Sequence, residues 1–214
     1  GVPGADVLVA DTRVYYGAPF RAAAGKPVAT ALPFANNALS FRLGRPNDRA
    51  EFAALIASTF DGYKNHYTSN PLIGRADILD GYTEWGLSFL DPDRGDLWVA
   101  EEAGRIVGFA GCRAHDGDYE IVLNGVLPAA SGRHVYGDIV SHVITHAATT
   151  SAERVTVSTQ IDNLAVQRAW TTRGLRLERA LNTVHVNLHR SDRHLAAVHH
   201  DVPNPAPAAG SVWT

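Results

Sequence analysis

Thr159-Gln160-Ile161-Asp162-Asn163-Leu164-Ala165-Val166-Gln167-Arg168-Ala169-Trp170-Thr171-Thr172-Arg173-Gly174-Leu175 is the stretch on which the fold turns. The β-branched run that enters it, Arg154–Thr159, predicts a strand. Asn163–Arg173 predicts a helix, and Gly174 suits the left-handed stop that ends one. Two further β-prone runs, Leu175–Glu178 and Thr183–His189, come next.

Upstream, Val135–Thr149 predicts a helix with Ile139, Val143 and Ala147 on one stripe. Before it the pattern has period two. Leu97–Glu101 and Arg105–Arg113 read as strands joined at Ala103-Gly104, and Asp116-Gly117 turns the chain into a long strand, Tyr119–Leu127, stopped by Pro128. Earlier still, Leu39–Leu43 predicts a strand. Asp48 with Glu51 reads as a capping box ahead of Phe52, Leu55, Ile56 and Phe60, and Ala76–Leu90 as a second helix. The order is β-α-α-β-β-β-α-β-α-β-β, an α+β arrangement on one mixed, mostly antiparallel sheet flanked by helices. Residues 1–38, rich in Ala, Gly and Pro with β-prone Val7–Val9 and Arg13–Tyr16, are expected to be part of a small N-terminal subdomain and linker. Residues 39–190 would be the main domain and 191–214 a C-terminal extension.

Composition narrows the function. Hydrophobic residues make up 45% of the 214, enough for a real core, and a net charge of −3 offers no positive field for nucleic acid. No apolar run approaches a membrane span. The single cysteine, Cys112, permits no intrachain disulfide, so a cytoplasmic setting is expected. The ten histidines show no metal-ligand spacing, and His199-His200 falls in a polar tail. The chain contains no Met, so its natural start is expected upstream.

Asn163, Val166, Trp170, Gly174 and Leu175 match N-x-x-[AV]-x-x-x-[YW]-x-x-x-G-[FL], a signature of the GNAT acetyltransferase superfamily, which residues 39–190 resemble. The segment Val126-Leu127-Pro128-Ala129-Ala130-Ser131-Gly132-Arg133-His134-Val135-Tyr136-Gly137 resembles the family's cofactor loop, V-x-P-x-x-[RQ]-x-x-G-x-[GA]. Here Ser131 replaces the Arg or Gln, and His134 and Tyr136 replace the two small residues.

The resemblance implies an N-acetyltransferase that uses acetyl-CoA, or another acyl-CoA, on a small-molecule amine. Val126, Ser131, Gly132, Arg133, His134, Val135, Tyr136 and Gly137 would bind the cofactor at a helix N-terminus, with Asn163 on its pantetheine arm. The family's proton donor is a Tyr where this chain has Trp170, whose indole N–H is no usable acid. Tyr136 is a substitute to consider. Asn124, polar in an otherwise buried strand, is expected in the site, and His66 is the candidate base. Phe60–Pro71 and Gly81–Trp85 look like a subgroup near dTDP-fucosamine acetyltransferase, which implies an amino-sugar acceptor; homodimer formation stays open. An altered acyl donor or chemistry, or a non-catalytic binding domain on the same scaffold, remains the alternative.

Overall fold

A computed structural model describes residues 4–21 and 28–188. The strands and helices are β1 (Ala5–Pro19), β2 (Leu39–Leu43), α1 (Arg49–Phe60), α2 (Arg75–Ser88), β3 (Asp96–Glu102), β4 (Arg105–His115), β5 (Asp118–Val126), α3 (Val135–Ala147), β6 (Arg154–Gln160), α4 (Leu164–Thr172) and β7 (Arg176–Leu188). The seven strands form one sheet in the order β2-β3-β4-β5-β6-β1-β7. All neighbours are antiparallel except β5 and β6. This is the α+β arrangement expected from the sequence.

Each face of the sheet carries its own apolar layer. Phe52, Leu55, Ile56 and Phe60 of α1 pack with Tyr82 and Phe89 against Val99, Ile106, Phe109 and Leu123. On the other face Val135, Ile139, Val143 and Ala147 of α3 pack with Trp170 and Leu175 against Val155, Val157 and Tyr119. Burying each of the larger side chains contributes about 1.5–3 kcal/mol. Both hairpins turn where φ is positive at two successive residues, Ala103 and Gly104, then Asp116 and Gly117. That geometry matches the right-handed twist of the flanking strands.

Three local expectations are corrected. Residues 5–19 form not a separate subdomain but one 15-residue strand inside the main sheet, paired to β6 on one side and β7 on the other. The two runs expected after Gly174 share a single strand, Arg176–Leu188, because β1 runs beside it along its length apart from register shifts. Asp48 and Glu51 form no capping box. Asp48 takes Arg42 Nη1 at 2.7 Å and the Arg45 amide at 2.7 Å, while Glu51 takes Arg105 Nε at 2.9 Å and the Ile106 amide at 3.1 Å. Arg105 and Ile106 lie across space from Glu51, where a sequence pattern does not reach. The expected C-terminal extension and His199-His200 lie outside the described residues.

Candidate active site

The site begins with one extra residue. Gly111 pairs with Leu123 but Cys112 with Ile121, so Val122 is a bulge in β5. A bulge bends its strand and reverses the facing of the residues beyond it. Tyr119 and Ile121 face the α3 layer, and after the bulge Asn124 and Val126 face it too, while Leu123 turns to α1 and α2. Parallel pairing between β5 and β6 runs from Asp118↔Arg154 only to Ile121↔Val157. Beyond the bulge the two strands part, so main-chain groups along the opened edges lose their ladder partners.

Polar side chains occupy the gap. Trp170 Nε1 donates to the Tyr136 hydroxyl at 2.9 Å, and the Asn124 side chain acts to lower the pKa of the same phenol. The Tyr63 hydroxyl donates to Gln160 Oε1, and Asn163 Nδ2 donates to Thr159 Oγ1 at 3.1 Å. The two phenols, Tyr63 and Tyr136, interact electrostatically across the gap, and burial raises the pKa of each.

A cavity opens on each side. On the α3 side about 660 Å³ is lined by Val126, Ser131, Gly132, His134, Val135, Tyr136 and Gly137, with Leu32–Pro33, Ala165, Ala169 and Arg173 among the other walls. Gly132 (φ 75°) and His134 (φ 64°) are left-handed, which turns the loop into α3. The amides of the first turn of α3 have no intrahelical acceptor and sit at the positive end of the helix dipole. On the other side about 480 Å³ is bounded by Tyr63 and Gln160, by Asp11, Asp61 and Asp162, and by Lys64 and Arg75. Burial, and then the proximity of Asp162, raise the Asp11 pKa.

Several sequence candidates stand elsewhere. Arg133 does not line the α3 cavity: its guanidinium is paired with Glu102, and its carbonyl accepts from Asn36 Nδ2 at 3.2 Å. Asn163 sits at the gap as the N-cap of α4 rather than in either cavity wall. Trp170 is fully buried, packed 5.4 Å from the Tyr16 ring, so it touches no bound molecule directly. Cys112 is buried and its thiol pKa is pushed up by desolvation, which makes it an inert core residue.

His66 lines neither cavity. Its Nδ1 lies 3.0 Å from His185 Nε2, and His185 Nδ1 lies 3.0 Å from Asn70 Nδ2. An amide N–H there assigns His185 Nδ1 as acceptor and Nε2–H as donor, so His66 Nδ1 accepts. Burial first, then Arg13 and His185, lower the His66 pKa to about 4. The lone pair a base needs is already engaged. This cluster fastens the 66–69 turn to β7.

The sequence did not single out Val122, Gln160, Asp11 or Arg173. The bulge has no compositional mark, and the other three acquire their setting only when β1, β6 and α4 converge. Glu120 lies at the far end of β5, its Oε2 3.3 Å from His115 Nε2.

Residues 60–175, just over half of the chain, match the acetyltransferase (GNAT) family. A search of curated proteins gives no match. Among solved structures the chain is similar to a protein assigned to the GNAT family from Novosphingobium aromaticivorans (TM-score 0.56, 19% identity, covering 88% of this chain and 69% of that one). It is also similar to a GCN5-related N-acetyltransferase from Sphaerobacter thermophilus (TM-score 0.57, 15% identity, 86% and 54%) and to a conserved protein of unknown function from Staphylococcus epidermidis (TM-score 0.61, 14% identity, 87% and 64%). The chain thus spans between about half and two thirds of the length of these neighbours, and at such identities the likeness concerns the fold.

Proposed function

The chain belongs to the GNAT acetyltransferase family, and from that premise we propose that it is an acyl-CoA-dependent N-acyltransferase that moves an acetyl group to the primary amine of a small molecule. The observation that carries this reading is the split between β5 and β6. It joins a cavity rich in main-chain donors to a cleft rich in side chains, with one phenol from each meeting in between.

The residues present fit a diphosphate-bearing thioester. Val135, Tyr136 and Gly137 offer first-turn amides, and Ser131 adds a hydroxyl in the same wall. Acetyl-CoA, when bound, supplies an activated acyl carbonyl to the amine. The opened edges of β5 and β6 hold amide donors available to a developing oxyanion. Tyr136 Oη holds the proton for the departing sulfur. Trp170 Nε1 donates to that oxygen, so the hydroxyl's own proton is left free to point into the cavity. Trp170 therefore acts as a positioning residue, and Asn124 on the strand side favours release of the phenol's proton.

On the other side, Asp11, Asp61 and Asp162 suit a cationic amine, and Asp11 takes the place of His66 as proton acceptor. Lys64 and Arg75 in the same cleft suit an acceptor that also carries negative charge, which supports an amino sugar on a phosphate carrier. Calorimetric titration with acetyl-CoA, followed by an acetylation screen over amino sugars and other small amines, tests the reading. Absence of binding to every CoA species would sink it.

A further inference from the structure

We propose that the guanidinium of Arg173 is the charged anchor for a diphosphate ester in the α3 cavity, which in the acyl-CoA reading is the diphosphate of the cofactor. Arg173 caps the C-terminal end of α4 and is only 7% exposed. Its Nε donates to Ser141 Oγ at 2.9 Å and its Nη1 to the Ala169 carbonyl at 2.9 Å. Both acceptors are neutral. The third nitrogen, Nη2, lies over Gly137 in the first turn of α3, so close that a Cβ there would stand 2.7 Å from it. Glycine at 137 is what lets the cation reach the start of the helix.

Among the described residues the charge has no ion-pair partner. Asp138 is the nearby anion, but its carboxylate serves the 32–36 segment: Oδ1 and Oδ2 take the Ala35 amide at 3.0 and 3.1 Å, and Oδ2 takes the Asn36 amide at 2.8 Å. A nearly buried guanidinium set against the positive end of a helix dipole is unfavourable on its own, and burial accordingly pulls its pKa down. An anion in the cavity is attracted by both the guanidinium and the helix N-terminus, which offsets those costs. The first-turn amides and Nη2 face the same space, which has room for two phosphoryl groups. Arg173 thereby supplies the charge that Ser131 cannot and that Arg133, paired to Glu102 outside the cavity, does not.

The test is calorimetry on the full chain with three probes: CoA, pantetheine (the same arm without the diphosphate) and inorganic pyrophosphate. Arg173→Met is expected to weaken CoA binding by about 30-fold or more, with pantetheine within about 2-fold of wild type. Arg173→Lys should fall between. Should Arg173→Met fail to fold, Gly137→Ala displaces the guanidinium without removing it and is expected to lower CoA affinity while sparing pantetheine. Equal losses for CoA and pantetheine, or unchanged CoA binding, would overturn the proposal. Pyrophosphate binding that depends on Arg173, in a protein that binds neither CoA nor pantetheine, would keep the diphosphate site and overturn the acyl-CoA reading. A wild type that binds none of the three probes would overturn both.

Discussion

On one side of the β5–β6 split the cavity combines main-chain amides and small residues with His134, Tyr136, Asp138 and the Arg173 guanidinium; on the other the cleft is built mainly from side chains, three carboxylates among them. The difference has a physical basis. A helix N-terminus offers its amides whatever side chains it carries, so Ser131, His134 and Tyr136 can stand in the loop without removing the donors. The cleft has no such reserve. Its chemistry is whatever Asp11, Tyr63, Gln160 and Asp162 present, and their placement depends on strands far apart in the chain.

The contrast between the two sides is most exposed at Tyr136, the side chain of the α3 cavity proposed to hold the leaving group's proton. Tyr136→Phe should lower kcat by about 10²–10³-fold while the acyl-CoA KM stays within about 3-fold, because amides bind and the hydroxyl reacts. The substitution also leaves Trp170 Nε1 buried without an acceptor, at a cost of about 1–3 kcal/mol of stability in urea titration. A kcat within about 3-fold of wild type would remove Tyr136 from the chemistry and leave two clefts joined by structure alone.

The next effect lies beside the cleft, in the turn whose Thr68 and Ser69 line it. His66 is held neutral, with its pKa lowered from 6.5 to about 4. A group whose folded pKa is depressed contributes stability above its unfolded pKa and loses it as pH falls through the folded one. The 66–69 turn should therefore lose roughly 3 kcal/mol between about pH 6.5 and pH 4. Urea unfolding at both ends of that window, compared between wild type and His66→Gln, isolates the contribution. An equal pH dependence in both proteins would contradict it.

A smaller effect is expected at Asp11. Replacing its carboxylate with Asn should lower kcat about 10²-fold through the lost proton acceptor and raise the acceptor KM through the lost ammonium contact, with the acyl-CoA KM unchanged. A parallel rise in both KM values would mean that the two sides of the split are not separable.

Much of the fold is legible in the sequence because it is written in local periodicity. The stripe Phe52, Leu55, Ile56 and Phe60 and the alternation from Leu97 to Leu127 each identify an element and its buried face. The place of β1 is not legible. Val7–Val9 and Arg13–Tyr16 read as strand, but nothing local says that their partners are Arg154–Gln160 and Arg176–Leu188, some 140 to 180 residues away. With β1 read as lying outside the sheet, Asp11 is missed with it. The cofactor loop is found by pattern, yet pattern gives no direction for a long side chain. For that reason the sequence points to Arg133 as a phosphate contact and passes over Arg173.

That last exchange gives the smallest expected effect and the cleanest check on it. Arg133 lies in the loop that the family pattern marks, two residues from Ser131, so the sequence argues for a phosphate contact. The structure turns its guanidinium to Glu102, with nearly half of the side chain exposed. An ion pair so exposed is worth about 0–1 kcal/mol, and its loss leaves the α3 amides in place. Arg133→Ala should thus change CoA affinity by less than about 3-fold, against about 30-fold or more at Arg173. Exposure of Arg133 means that free rotation could bring it to a bound diphosphate; if so, its truncation would match that of Arg173 under the same titration. Comparable losses at the two positions would show that the cavity recruits its charge from solvent when the ligand arrives. A large loss at Arg173 with little at Arg133 would show that the charge is already buried in place.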